Sequence, residues 1–207
     1  MSTGYGNRRL IARPGPERIR VGIVSQGICR MDTIEAIRTR RSIRSFRSDP
    51  VERAVIAEII ADAAQAPPPF AGQVPWSFSV LEGADRIAAL GERALAYARE
   101  NRPDGPGYDW TRRDGFKVFW NAPVVVVISG PAADCCRAGQ NLMLSAHARG
   151  LGTCWVGAPS LWLGTKEAKT AFAIPTGLEA GAVLCLGYPD AAPPAPAPAQ
   201  PKIIWLS

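Results

Sequence analysis

Apolar side chains recur every three or four residues in several segments, and this periodicity predicts amphipathic helices. The clearest segments are residues 51–66, 84–101 and 132–149, the last of which runs into Gly150 as a helix does at its C-terminal cap. A weaker pattern covers residues 163–172. The chain is therefore predicted to be rich in helix.

A further short helix is predicted just after Met31. Asp32 and Glu35 have the spacing of a capping box, in which the two residues satisfy each other's backbone amides. Ile34 and Ile37 share one face of this helix, and we expect them to form its buried stripe.

Other segments have the pattern of strands. Residues 76–81 alternate between apolar and polar side chains, as a half-buried strand does. Residues 123–129 and 180–187 are continuous apolar runs, typical of strands that are covered on both faces. A short strand that passes into a loop is expected within residues 151–160, which read LGTCWVGAPS.

Two segments interrupt this pattern. Residues 66–75 contain PPP followed by FAGQVP, and they are predicted to form a loop because proline lacks the amide donor and restricts the residue before it. Residues 102–115 are a connection rich in Pro, Gly and Asp. Phe116, Phe119 and Trp120 follow at helical spacing, which fits either a core stripe or the wall of a pocket for flat aromatic ligands.

Composition divides the 207 residues into three parts. Residues 1–30 are a basic arm rich in Gly, Pro and Arg, and residues 31–190 have the patterning of one compact domain. Residues 191–207 are an Ala/Pro-rich extension, expected to be extended and stiff, that ends in the apolar tail KIIWLS. Such a tail needs a surface to pack against, and a partner subunit would provide one.

Charge and cysteine content narrow the class of protein. The net charge of +6 is concentrated in the arm, which lacks the zinc-ligand spacing, heptads or aromatic signature of nucleic-acid binders. No apolar run is long enough to span a membrane, and a single histidine with no H-E-x-x-H motif argues against a metal site. Five cysteines without a C-x-x-C pair indicate reduced thiols and a cytoplasmic location.

The most distinctive polar stretch is RRSIRSF at residues 40–46. Arg40, Arg41 and Arg44, with the hydroxyl of Ser42, offer several donors to one compact anion, because guanidinium groups match phosphate oxygens. A solvated basic face at a helix end explains such a cluster equally well when it is taken alone. Both interpretations stay open at this point.

The order of these features resembles the flavin-dependent nitroreductase family. The similarity covers nearly all of residues 31–190 and rests on R-R-S-x-R, a proline-tryptophan loop, APVVVV, QNLMLSAHARGLGTCWVG and LGYP. It implies an α+β three-layer sandwich in which helices flank a central mixed or antiparallel sheet. It also implies an intertwined homodimer with FMN bound at two sites in the subunit interface.

The resemblance also implies roles for the arginine cluster. Arg40, Arg41 and Ser42 look like the contacts to the FMN phosphate, and Arg44 looks like the cation near the pyrimidine end of the flavin. Reduced flavin tends to be anionic, so a fixed positive charge there favours the reduced state.

A second set of residues resembles the segment that lies against the flavin ring: Trp155, Val156, Gly157 and Ala158. Gly157 would let the ring approach the backbone, where a side chain would obstruct it. Trp155 is as well explained as a core residue of a strand.

Further FMN contacts are implied in the proline loop and the C-terminal tail: Pro68, Pro69, Phe70, Gln73 and Lys202. If the loop has the family's usual length, Gly72 and Val74 replace its asparagine and glutamine. If one residue is inserted, Gln73 is the glutamine and Ala71 replaces the asparagine. Either way one amide that faces the flavin is missing.

The implied function is an FMN-dependent oxidoreductase that passes hydride from NAD(P)H through the flavin to an electron-poor acceptor, such as a nitroaromatic or a quinone. No catalytic side chain is expected, since the flavin carries the chemistry, and His147 is interpreted as a core or interface residue. The expected substrate pocket consists of Phe70, Phe116, Phe119 and Trp120. The alternatives are an FMN-dependent dehydrogenase, oxidase or flavin-modifying enzyme of this fold, and a non-catalytic flavin-binding protein.

Overall fold

A computed structural model of the chain describes residues 31–67, 76–103, 105–195 and 200–206. The α-helices in these ranges are α1 (Thr33–Thr39), α2 (Arg53–Ala63), α3 (Ala84–Asn101), α4 (Ala132–Ala148), α5 (Ser160–Leu163) and α6 (Lys166–Ala171). The strands are β1 (Ser77–Glu82), β2 (Val124–Ser129), β3 (Gly152–Trp155) and β4 (Ala180–Gly187), and a 3₁₀ helix spans Pro106–Arg112.

The four strands form one antiparallel sheet in the order β1-β2-β4-β3. Val126 of the central strand β2 lies opposite Val80 on one side and Leu184 on the other. Strand β3 is an edge strand of this sheet, and the segment that follows α1 docks beside it.

Strand β2 shows why the molecule has three layers. All six of its residues are buried, and successive side chains point to opposite faces. Val125 belongs to the core that contains Leu90 of α3, whereas Val126 belongs to the core that contains Leu142 of α4. Helices therefore cover the sheet on both faces, and the expected α+β sandwich is confirmed.

The long helices and the strands are confirmed close to their predicted bounds. Helix α4 ends before Gly150, whose φ of 76° is the left-handed conformation that glycine adopts without strain. The helix predicted over residues 163–172 is confirmed as the shorter helix α6, and a separate short helix, α5, precedes it. Thr165 separates α5 from α6 because its backbone is extended and its hydroxyl accepts a hydrogen bond from the amide of Ala168 at 3.2 Å.

Helix α1 confirms the predicted cap but not the predicted buried stripe. The Asp32 carboxylate accepts from the amides of Ile34 at 2.9 Å and Glu35 at 3.3 Å. However, Ile34 and Ile37 are 51% and 53% exposed, and Ala36 is the buried residue of this helix. The prediction of a buried Ile34/Ile37 stripe is wrong within one chain, because this short helix packs on α4 with its other face.

The segment of residues 116–122 consists of turns rather than a helix, despite its helical spacing. The amide of Trp120 donates to the Lys117 carbonyl at 3.2 Å, and the amide of Ala122 donates to the Phe119 carbonyl at 2.9 Å. Trp120 and Asn121 have φ angles of 54° and 53°, a backbone conformation that residues other than glycine rarely adopt. This backbone turns neighbouring aromatic rings in different directions.

At the C-terminus, residues 191–195 have no regular secondary structure. The tail side chains Ile203, Ile204, Trp205 and Leu206 are between 63% and 93% exposed. The predicted basic arm and the proline loop at residues 68–75 lie outside the described residues. Among the helices that are described, none is both long and apolar enough to cross a membrane.

Candidate functional site

The arginine cluster begins where α1 ends. Arg40 leaves the helical conformation, with φ −55° and ψ 134°, so the chain becomes extended at this residue. The Arg41 guanidinium turns back and donates to the carbonyl oxygens of Arg38 at 2.8 Å and Arg40 at 2.9 Å. Arg41 therefore helps to terminate the helix and also brings a positive charge to its end.

The extended segment then joins the edge of the sheet. Ser42 forms a parallel bridge with Thr153 of β3, and the amide of Ile43 donates to the Thr153 carbonyl at 2.8 Å. The side chain of Ile43 is buried against Gly152, where a Cβ atom would come within 2.6 Å of it. This contact requires glycine at position 152 and fixes the cluster relative to β3.

The arginines of this cluster have no carboxylate partner within the described parts of the chain. Among the ion pairs of the described residues, none includes Arg40, Arg41 or Arg44. Ser42 is only partly buried, so its hydroxyl lies within reach of solvent. Arg40, Arg44 and the guanidinium N–H groups of Arg41 that do not bond the helix end are donors suited to an anion.

His147 of α4 lies beside this cluster. Its Nε2 atom is 2.9 Å from the hydroxyl oxygen of Thr39, and that hydroxyl donates its single proton to the Glu35 carbonyl at 2.6 Å. His147 must therefore donate from Nε2. Burial and the charges of Arg40 and Arg41 lower the pKa of His147, and Glu35 opposes them.

A cavity of about 650 Å³ lies next to the cluster, where β3 passes into the following loop. Its lining includes a cation, a set of aromatic rings and a turn of backbone that carries Gly157. Among the predicted site residues, those brought together here are Arg44, Phe116, Trp120, Trp155, Val156, Gly157 and Ala158.

Gly157 leaves one wall of the cavity open. A Cβ atom at this position would meet nothing within 4 Å, so the space in front of the backbone is free. The amide of Val156 donates to the Val183 carbonyl at 2.9 Å, and the Gly157 carbonyl accepts from the amide of Ser160 at 3.1 Å. These bonds hold the turn in place with the face of Gly157 open.

Aromatic rings form another part of the lining. The rings of Trp110 and Phe116 have centroids 5.2 Å apart, and those of Phe116 and Trp120 are 5.4 Å apart in an edge-to-face arrangement. The Arg44 guanidinium carbon lies 5.7 Å from the centroid of the Trp120 ring. The cavity therefore combines apolar surface with a positive charge at its wall.

Cys154 also lines the cavity but is suited to remain a neutral wall. Its side chain is almost wholly buried, and burial raises the pKa of its thiol, against the influence of the Arg44 and Arg40 charges. Cys185 lies opposite Cys154 on β4, and burial raises the pKa of that thiol further. Neither thiol is activated for nucleophilic chemistry.

Several predicted residues are not brought to the cavity. Phe119 is 2% exposed and packs in the core against Phe172, with ring centroids 6.3 Å apart. Lys202 lies in the exposed tail. The remaining predicted contacts are outside the described residues, namely Pro68, Pro69, Phe70 and Gln73. Trp155 combines both of its proposed roles, since it lines the cavity and its ring fills the space above Gly139.

Sequence reasoning missed half of the lining, and the missed residues with large side chains on one segment are Tyr108, Trp110 and Arg113. They lie on or just after the 3₁₀ helix, in a segment that composition identified only as a connection. The recurrence of aromatic residues at 108, 110, 116 and 120 was the available signal. No group of three or more His, Cys, Asp or Glu side chains that could hold a metal ion occurs in the described ranges.

Comparison with known proteins identifies the family of the chain. The pattern that defines the Nitroreductase family matches residues 37–188. A Methanothermobacter thermautotrophicus protein provisionally named NADH dehydrogenase/NAD(P)H nitroreductase is 29% identical over 184 residues, which are 84% of this chain and 86% of the relative. The 5,6-dimethylbenzimidazole synthase of Rhodospirillum rubrum is 29% identical over 180 residues, which are 76% of this chain and 82% of the relative.

The fold of the chain is also that of solved structures. A crystal structure of a nitroreductase with bound FMN from Bacteroides fragilis superposes with a TM-score of 0.75 at 20% identity. The superposition covers 86% of this chain and 100% of that one. Since the family's sequence pattern extends over most of the chain, from α1 to the end of β4, the protein belongs to the nitroreductase family and is a flavoprotein oxidoreductase.

Proposed function

We propose that the protein is an FMN-dependent oxidoreductase that takes hydride from NAD(P)H and passes it to an electron-poor acceptor such as a nitroaromatic or a quinone. The observation that carries this proposal is that the arginine cluster and the cavity adjoin each other. Arg44 belongs both to a cluster of arginines that has no carboxylate partner among the described residues and to the cavity that contains Gly157. An anion with an attached flat ring system matches both.

The phosphate of FMN would bind at the cluster. Arg40, Arg41 and Ser42 would donate to its oxygens, and charge-assisted bonds of this kind are about twice as strong as neutral ones. The bridge between Ser42 and Thr153 supports this role, because it holds the donors against the sheet before the ligand arrives.

The flavin ring would lie against the turn of Val156, Gly157 and Ala158, with Trp155 at its border. The open space in front of Gly157 and the size of the cavity support this placement. Arg44 would face the ring and favour its anionic reduced form. When it is bound, FMN supplies the hydride chemistry, and these residues bind and orient it and exclude water. Phe116 and Trp120 would stack against the acceptor.

We further propose that the protein is a homodimer and that the 191–207 extension packs on the partner subunit. Large apolar side chains on α1 and in the tail are exposed within one chain. A second copy that covers Ile34, Ile37 and Trp205 would remove this apolar surface from water. The proline loop and Lys202 would complete the FMN site in that assembly. We place the protein in the cytoplasm.

The test is to purify the full chain, record its visible spectrum, and titrate the unloaded protein with FMN. We expect a yellow protein whose flavin is reduced rapidly by NADH or NADPH in stopped-flow measurements and then reoxidised by 1,4-benzoquinone. A protein that stays colourless after incubation with FMN would overturn the proposal.

One observation favours a second candidate, an FMN-dependent dehydrogenase, oxidase or flavin-modifying enzyme. A relative that matches 76% of the chain at 29% identity is named 5,6-dimethylbenzimidazole synthase. The same stopped-flow experiment separates the two functions, since slow reduction by both nicotinamides would favour the second one. Bound flavin that no donor reduces would instead indicate a non-catalytic flavin-binding protein.

A further inference from the structure

We infer that the acceptor is a flat conjugated molecule that carries an anionic group, such as an aromatic carboxylate, and that Arg113 binds this group. The inference rests on the proposed function and deepens it by naming the substrate class. It starts from a cation in the cavity that the flavin does not account for.

The charges of the lining are unbalanced. The cavity is lined by Arg44 and Arg113 and, within the part of the chain that the structure describes, by no carboxylate. The FMN phosphate would use Arg40 and Arg41, and the ring would use Arg44. Arg113 is then a second positive charge at this cavity, and FMN has no further anionic group to pair with it.

Arg113 also forms no ion pair with any residue that the structure describes. The ion pairs among the described residues do not include it, although Asp109 and Asp114 are close in sequence. Neither of these carboxylates lines the cavity. Its guanidinium is therefore available to a ligand.

The backbone that carries Arg113 is firmly held. The Arg113 amide donates to the Trp110 carbonyl at 3.2 Å, and its own carbonyl accepts from the amide of Phe116 at 3.4 Å. Arg99 of α3 donates to the Thr111 carbonyl at 2.9 Å, and Thr111 is fully buried. The segment is thus attached to α3, so that Arg113 projects from a fixed base.

The neighbours of Arg113 define the rest of the ligand. Trp110 and Phe116 lie on either side of it in sequence, and their rings line the same cavity 5.2 Å apart. Aromatic surfaces bind flat apolar rings, whereas a guanidinium binds carboxylates or similar oxyanions in a bidentate way. A molecule that satisfies both has a conjugated ring with an anionic substituent.

The test compares two acceptors of nearly the same shape, 4-nitrobenzoate and its neutral analogue 4-nitrobenzamide, with the FMN-loaded full chain. The variants are Arg113→Met, Arg113→Lys and the matched control Arg112→Met, because Arg112 has the same charge but does not line the cavity. Two quantities are measured: the ratio of kcat/KM for the two acceptors, and their Kd values from tryptophan fluorescence quenching in the absence of any nicotinamide.

We expect the wild type and Arg112→Met to prefer the anion by about tenfold in both quantities, since a charge-assisted bond is roughly twice as strong as a neutral one. Arg113→Met should lose this preference, and Arg113→Lys should restore part of it. Equal binding and turnover of both acceptors by the wild type, or an equal loss in Arg112→Met, would overturn the inference alone. A chain that cannot be loaded with FMN would overturn the proposed function and this inference together.

Discussion

The Arg44 guanidinium lies over the ring of Trp120, with 5.7 Å between its central carbon and the ring centroid. Trp120 holds this position with a left-handed backbone, at φ 54°, and such a conformation costs about 1–3 kcal/mol unless its surroundings enforce it. The pair therefore places a positive charge at the wall of the cavity at the expense of local backbone strain.

Replacing Arg44 should make the bound flavin harder to reduce. We expect Arg44→Met to lower its reduction potential by roughly 30–60 mV, which corresponds to about 1.4–2.8 kcal/mol for two electrons, because the anionic reduced form loses its counter-charge. Spectroelectrochemical titration measures this. The matched control is Arg47→Met, because Arg47 also lies over a ring, that of Tyr188, but is paired with Asp49. An equal shift in both variants would contradict a specific role for Arg44.

Replacing Arg40 should weaken FMN binding itself. Arg40→Ala removes charge-assisted bonds worth about 1.5–3 kcal/mol each, so we expect the Kd for FMN to rise by at least about tenfold. Equilibrium fluorescence titration gives this value. Arg53→Ala is the control, since Arg53 on α2 pairs with Glu82 and should leave the Kd unchanged. An unchanged Kd in Arg40→Ala would remove Arg40 from the phosphate site.

Two glycines should respond to substitution in opposite ways. Gly157→Val places its side chain in open space, so the melting temperature should stay near that of the wild type while FMN binding is lost. Gly152→Ala forces a Cβ atom to within 2.6 Å of Ile43, so the free energy of unfolding should fall by about 1–3 kcal/mol. Thermal unfolding and FMN titration of both variants test this contrast. Strong destabilisation by Gly157→Val would show that its cavity face is structural.

His147 should make the protein less stable in mild acid. Its pKa is lowered in the folded state, so between that pKa and the ordinary value of 6.5 the unfolded chain binds more protons. The free energy of unfolding should therefore fall as the pH decreases from 7 through this window, and His147→Gln should flatten the dependence. Urea titrations at a series of pH values measure it. Thr39→Val, which keeps the imidazole, should retain the pH dependence, and parallel curves for wild type and His147→Gln would contradict the expectation.

The exposed apolar residues should control dimer formation. Ile37→Asp and Trp205→Asp should each weaken self-association by at least about tenfold, because a large apolar side chain contributes about 1.5–3 kcal/mol when it is buried. Sedimentation equilibrium gives the dissociation constants. Val80→Asp, at a partly exposed position on β1, tests whether any added charge has the same effect. A wild-type chain that sediments as a monomer would overturn the proposed dimer.

The elements were predictable because their patterns are local. The all-apolar run of β2 and the helical periods of α3 and α4 report burial directly, and Gly150 marks the end of α4. The periodicity of α1 identified its apolar face correctly but contains no information on which element packs against that face. Ile34 and Ile37 remain exposed because none of the described helices and strands packs on that face.

The site was predictable only in part, because its geometry depends on contacts between distant residues. Phe116, Phe119 and Trp120 have the spacing of residues on one face of a helix. Residues 116–122 form turns instead, so Phe119 packs in the core while the rings of Phe116 and Trp120 line the cavity. Arg113 belongs to the site because Arg99 of α3 holds the 3₁₀ segment in place. No pattern within residues 102–115 encodes that attachment.

The bridge between Ser42 and Thr153 has a consequence for the size of the ligand. Gly157 follows Thr153 by only four positions, and the hydrogen bond from the Ile43 amide joins the segment of the arginine cluster to this same strand. The distance between the arginine cluster and the turn at Gly157 is therefore set by a short piece of hydrogen-bonded backbone. If FMN binds as proposed, riboflavin, which has no phosphate, should bind more weakly because it cannot contact the arginine cluster.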